Sequence, residues 1–191
     1  MTTLTLTQLQ AIKADIAAND DMNTLPNNSD GSYDIAKLYN QLPIIPMTVW
    51  KTNTDVNDIY DQIDFSKYTP ADSPDSTTLY TNRAWAINIK QMNLQTMLIG
   101  RTSLNTAKVT IRSSLRDVVT AIPAGVGGAN TSPGGASGAN VLNACTRLAN
   151  RIEKLLVNPS QGSDTTGTVT ARVMGFEGTI QPSDIDAARA S

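Results

Sequence analysis

Apolar residues recur at helical spacing along most of the chain. Leu9, Ile12 and Ile16 follow Thr7-Gln8-Leu9-Gln10, where Thr7 can accept the Gln10 N–H and Gln10 can reach back, so a capped helix is expected to run to about Asn19. A turn cluster, Leu25 to Gly31, precedes Ile35, Leu38 and Tyr39, which predict a short helix over 33–41. Val56, Ile59, Tyr60 and Ile63 predict a third helix capped by Thr54. After a Pro- and Asp-rich loop at 69–76, the longest helix is expected from Ser76 or Thr77 to Ile99, with Gly100 as its C′ residue. It carries two apolar rows, Trp85-Ile89-Met92 and Ile87-Leu94-Leu98, and a helix apolar nearly all round is expected to be buried. A stripe of Leu104, Ala107, Ile111, Leu115 and Val118 predicts a helix over 104–120. The cleanest pattern is Val141, Leu142, Cys145, Leu148, Ala149, Ile152, Leu155 and Leu156, one face of a helix stopped by Asn158-Pro159. A terminal helix begins near Pro182, with Ser183 as its candidate cap.

Two stretches read as extended. Met47 to Trp50 is apolar, partly β-branched and too short for a helix, and follows Ile44-Ile45 between Pro43 and Pro46. Thr168 to Met174 alternates weakly and is a candidate partner for 44–50. Residues 123–138 hold six of the twelve glycines, which reads as a flexible loop or as an insertion that orders against a neighbouring subunit. The expected fold is mainly α: a single domain over 1–191, a bundle of about six helices with a small β-hairpin-like element and a Gly-rich loop.

Composition narrows the chemistry. The chain has no His and one Cys, which removes Ser-His-Asp and Cys-His catalysis, Cys/His zinc sites and an internal disulfide. No cofactor motif is found. The N-terminus has no positive charge before an apolar run, and no window is long and apolar enough to span a bilayer, so neither a secretory signal nor a membrane partner is expected. Asp55, Asp58, Asp61 and Asp64 recur every third residue. They are either a solvated acidic face or, as a rival reading, the carboxylates of a metal-dependent enzyme centred on Asp55, Asp58 and Asp61. Cys145 lies on an apolar stripe and reads as an inert core residue. Eight of nine aromatic residues fall within 33–85, so Trp50 is a candidate interface anchor as well as a candidate core residue.

Charge is segregated. Residues 1–82 carry net −7, residues 83–154 net +7 and residues 155–191 net −2. Three readings stay open: oppositely charged elements packing within one chain, opposite patches meeting head to tail between copies, and contact of a basic rim with DNA phosphates. Arg112, Arg116, Arg147, Arg151 and Lys154 are the candidate charges for contacts between copies. A calculated pI of about 5.0 and basic residues without interleaved aromatics disfavour nucleic acid as the main partner.

The run Arg147-Leu148-Ala149-Asn150-Arg151-Ile152-Glu153-Lys154-Leu155-Leu156, a Gly/Thr-rich spacer, Gly175-Phe176-Glu177-Gly178-Thr179-Ile180 and Asp184-Ile185-Asp186-Ala187-Ala188-Arg189 resembles a group of small structural proteins of tailed bacteriophages. The N-terminal helix, Leu25-Pro26 with Tyr33-Asp34-Ile35-Ala36, and Thr48 to Thr52 are similar to the same group. Asn82 to Trp85 and Ile111 to Leu115 fit it more loosely, and residues 125–138 look like an insertion. The resemblance implies a non-enzymatic virion protein, a head-to-tail connector subunit forming a homo-oligomeric ring around the DNA channel. Its partners would be portal, capsid or tail proteins and the packaged DNA. A capsid decoration or tail-associated subunit is the alternative. Its place would be the virion, after synthesis in the host cytoplasm.

Overall fold

The first helix starts two residues earlier than the Thr7–Gln10 capping box predicts, because Thr5 and Gln8 make the box instead. The computed structural model describes residues 4–68, 80–123, 130–157 and 163–191, with backbone alone at 80–82. In it, α1 (Leu6–Ala18) is capped by Thr5: its hydroxyl accepts the Gln8 N–H at 3.3 Å, and the Gln8 side chain accepts the Thr5 N–H at 2.8 Å. A one-turn helix α2 (Asp20–Asn23) and α3 (Ser29–Tyr39) follow, α3 capped by the Asn28 side chain. Gly31 in the first turn of α3 has no room for a side chain, since a Cβ would stand 1.8 Å from the Pro26 carbonyl oxygen.

Strand β1 (Thr48–Trp50) and the short β2 (Thr54–Asp55) lead into α4 (Val56–Tyr60) and a 3-10 turn at Phe65–Tyr68. Next come α5 (Tyr80–Leu98), β3 (Ser103–Leu104), α6 (Val109–Val118), a 3-10 turn at Ala136–Gly138 and α7 (Ala139–Ala144). The chain ends with β4 (Thr146–Leu148), α8 (Arg151–Leu155), β5 (Ser163–Thr166), β6 (Val169–Arg172) and α9 (Pro182–Ala190). One sheet has the order β4-β1-β6-β5, with β1 parallel to β6 and Val49 opposite Arg172; β2 and β3 form a second, antiparallel pair. The 44–50 and 168–174 stretches therefore do pair.

The mainly-α, six-helix bundle is overturned. Among the described residues there are nine α-helices, about 53% helix, a four-stranded mixed sheet and a two-stranded one, so the fold is mixed α/β. The reason is plainest at 141–156. The apolar spacing mimics one helix, yet the chain ends α7 at Cys145, runs as β4 and restarts at Asn150. Asn150 makes a full capping box with Glu153, and its amide donates to the Gly178 carbonyl at 2.8 Å. The Ala149 N–H meanwhile donates to the Met47 carbonyl at 2.8 Å. Cap and strand bonds together outweigh one continuous helical ladder. Thr54 likewise does not cap a helix: it lies in β2 with its hydroxyl buried against that of Thr106 at 2.6 Å, and Asp55 caps α4 instead.

The expected helix start at Ser76 or Thr77, the 69–76 loop and the Asn158-Pro159 stop lie outside the described residues. So do residues 124–129 of the Gly-rich run. Its described part is folded: Ile122 and Thr131 form a β-bridge, and the Gly134 N–H donates to the Val119 carbonyl at 3.1 Å. A Cβ on Gly134 would meet the Val119 side chain at 2.6 Å, which explains a glycine there.

The chain divides into two compact units. Unit 1 is Met1–Val49, Leu148–Gly162 and Arg172–Ser191, with α1 and α3 packed on α9 around Ile12, Met22, Ile35, Tyr39, Ile152 and Ile185. Unit 2 is Trp50–Arg147 and Ser163–Ala171, with α5 and α7 on α6 around Trp50, Ile87, Leu94, Leu115 and Leu142.

Asn150→Ala is expected to cost about 1–2 kcal/mol, read as a lower urea midpoint at unchanged slope. Asn150→Asp, which keeps the cap acceptor but loses the donor to Gly178, should fall between the two.

Candidate functional site

In unit 1, Leu42-Pro43-Ile44-Ile45-Pro46 leaves the end of α3 as an arm. Two prolines fix φ at its bends and remove two backbone donors, so it cannot extend a strand or a helix. Its base is tied to α8. The Arg151 N–H donates to the Gln41 carbonyl at 2.8 Å, and the Lys154 ammonium donates to the Ile45 carbonyl at 3.0 Å. Between these ties the side chains of Leu42 (61% exposed), Ile44 (102%) and Ile45 (71%) stand in water. A soluble surface rarely keeps three large aliphatic groups adjacent and backbone-fixed without a use for them.

The arm borders an open hollow of about 840 Å³, lined by Asp15, Asp21, Leu38, Leu42, Ile45 and Arg151 among others. The Arg151 guanidinium donates to the Asp21 carboxylate at 2.8 Å and lies 5.7 Å from the centroid of the Tyr39 ring. That hydrogen bond holds the Asp21 carboxyl below its usual range. The stabilisation from this pair is thus present above the ordinary Asp value of 3.8 and is lost as pH falls through the lowered one. Because half of the Asp21 side chain is exposed, it is worth about 1 kcal/mol at most. Burial, then the Asp15 carboxylate that accepts its hydroxyl at 2.8 Å, push the Tyr39 phenol far above its ordinary value.

The candidate charges separate. Arg112 and Trp50 are enclosed in unit 2, both 0% exposed. Arg112 donates from Nε to the Thr166 hydroxyl at 2.8 Å and from Nη1 to the Thr106 and Ala107 carbonyls at 3.2 and 2.7 Å. Its Nη2 pairs with Asp164, and the guanidinium stacks 4.6 Å from the centroid of Trp50, whose indole N–H donates to the Asp164 carbonyl. Both side chains hold unit 2 together and present no surface. Arg116 pairs with neighbouring Asp117, and Arg147 lies half-buried on β4. Arg151 and Lys154 meet at the arm.

The acidic run does not converge. Asp55 accepts the Asn57 N–H, Asp58 pairs with Lys51 at 3.3 Å, Asp61 ends α4, and Asp64 accepts from Ser66. Among the described residues no group of three or more His, Cys, Asp or Glu is placed to hold a metal ion. Cys145 is buried, and burial pushes its thiol from 9.0 to about 11. Among the described residues no helix is long and apolar enough to cross a membrane.

Sequence reasoning noted Ile44-Ile45 between Pro43 and Pro46 but assigned them no role. The available signal was their bracketing by Pro43 and Pro46, which denies them a regular element. No known protein family, curated protein or solved structure matches the chain.

Two predictions follow from unit 2. Arg112→Met removes every donor at once and leaves the Thr106 and Ala107 carbonyls and Asp164 without their partner, an expected loss of about 3 kcal/mol in urea unfolding. Arg112→Lys should recover little of it, because an ammonium cannot reproduce the planar fork. A thiol raised from 9.0 to about 11 contributes stability below pH 9 that disappears as pH rises toward 11. Unfolding midpoints at pH 8 and pH 10.5 should therefore differ more in the natural chain than in Cys145→Ala.

Proposed function

We propose that this chain is a non-enzymatic virion subunit of the head-to-tail connector type, forming a ring around the DNA channel of a tailed bacteriophage. The observation that carries this reading is the braced apolar arm, Leu42 to Ile45. A side chain such as Ile44, fully in water on a tethered backbone, loses little entropy on docking and gains about 1.5–3 kcal/mol when buried. An arm that docks on a different surface of the next copy makes a heterologous contact, and such contacts form a ring when the rotation between copies closes. Arg151 and Lys154 then act by holding the arm's posture rather than by meeting a neighbour's charge.

A second support is where the phage-like segments fall. Many of the segments that carry the resemblance (the N-terminal helix, Leu25-Pro26 with Tyr33 to Ala36, Leu148 to Leu156, Gly175 to Ile180 and Asp184 to Arg189) are far apart in sequence yet belong to unit 1, whereas Arg147, Trp50 to Thr52 and the looser matches at Asn82 to Trp85 and Ile111 to Leu115 belong to unit 2. The resemblance is thus densest in unit 1 and extends into unit 2. On this reading the partners are further copies of the chain and portal, capsid or tail proteins, the packaged DNA passes the ring without being its main ligand, and the protein resides in the virion.

Sedimentation or native mass spectrometry tests the proposal. The natural chain is expected to form a closed oligomer, alone or with capsid or tail components, whereas Ile44→Asp leaves the circular dichroism unchanged and abolishes the ring, leaving nothing larger than a pair of chains. Lys154→Ala should weaken assembly about tenfold by freeing one end of the arm. An Ile44→Asp chain with undiminished oligomer mass would refute the reading, as would a natural chain that stays single in the presence of particle components.

A further inference from the structure

One face of α5 lacks a partner within the described residues of unit 2. Ile87, Leu94 and Leu98 turn toward the core, but Trp85, Met92 and Ile99 are 70%, 59% and 75% exposed. With Ile89 and Thr96 they form a row whose steps alternate between four and three residues, the spacing of a helix-pairing seam about 21 Å long. The helical ladder continues through Ile99, whose N–H donates to the Gln95 carbonyl at 2.7 Å.

Among its described residues, α5 sets no charged side chain beside this seam. α5 carries only Arg83, which is buried, and Lys90, whose ammonium donates to the Asp117 and Thr120 carbonyls at 2.6 Å each. The exposed flanks are Asn88, Asn93 and Gln95. That chemistry indicates the occupant. A charged rim matches a partner of opposite sign and repels its own copy. An amide is both donor and acceptor, so it is complementary to an identical amide. The seam is also symmetric about Met92, with Trp85 and Ile99 each seven residues away. An antiparallel match sets Trp85 of one copy against Ile99 of the other and places the helix dipoles in their favourable opposed sense.

We infer that α5 pairs antiparallel with α5 of a second copy across a two-fold axis at Met92. This contact joins identical surfaces, so it is distinct from the head-to-tail contacts of a ring and does not depend on them. The test uses the full-length Ile44→Asp chain, in which the arm is disabled. Sedimentation at rising concentration should show the mass doubling from one chain to two, and adding Trp85→Glu or Met92→Glu should keep it single with unchanged circular dichroism. Met92→Cys, in that chain and in the natural one, should give a disulfide-linked pair under mild oxidation, because Cys145 is buried and does not compete. A single-chain mass at every concentration together with no Met92→Cys pair would overturn the inference while leaving the ring reading intact. So would a seam that becomes protected only when a different virion component is added.

Discussion

A single guanidinium sets the register of unit 2. Arg112 on α6 reaches the Thr106 and Ala107 carbonyls just before its own helix, the Asp164 and Thr166 side chains on β5 and the face of Trp50 on β1. Five donors in a rigid plane leave few ways to satisfy all of them at once, so three chain segments more than 50 residues apart are held in one arrangement. A charge this deeply enclosed is tolerable only because every donor group is occupied.

The same pattern accounts for the lopsided charge along the chain. The basic middle and the acidic flanks meet within the units: Arg112 with Asp164 in unit 2, Arg151 with Asp21 in unit 1. Lys90 and Lys154 place their ammonium groups on backbone carbonyls. Beside the exposed charges, two sets of large apolar side chains also stand in water: the arm at Leu42 to Ile45 in unit 1 and the Trp85-Met92-Ile99 row in unit 2.

Legibility followed locality. The helices at 6–18 and 29–39, the β1–β6 pairing and the burial of Cys145 could be read because each is decided by neighbouring residues or by a simple alternation, whereas the caps fell on Thr5, Asp55 and Gln181 instead of Thr7, Thr54 and Ser183. The break at 145–150 could not, because Thr146 to Leu148 keeps helical apolar spacing and becomes a strand through bonds to residues about 100 positions away. Arg112 read as a surface charge for a related reason: its partners lie on β5 and β1, which no helical-face argument connects to α6. The Trp85 row read as core because apolar periodicity does not say which of two apolar faces finds a partner. The arm was visible as a Pro-bracketed pair of isoleucines, but its exposure depends on the ties from α8.

On the proposed reading, assembly runs on apolar surface while the Arg112–Asp164 and Arg151–Asp21 pairs work within the units. The most direct measurement is the oligomer mass of the natural chain as salt is raised to about 1 M, where charges beyond about 3 Å are screened. The account predicts a mass that holds or grows. Dissociation on adding salt would mean that charged faces hold the copies together, and the account would be wrong.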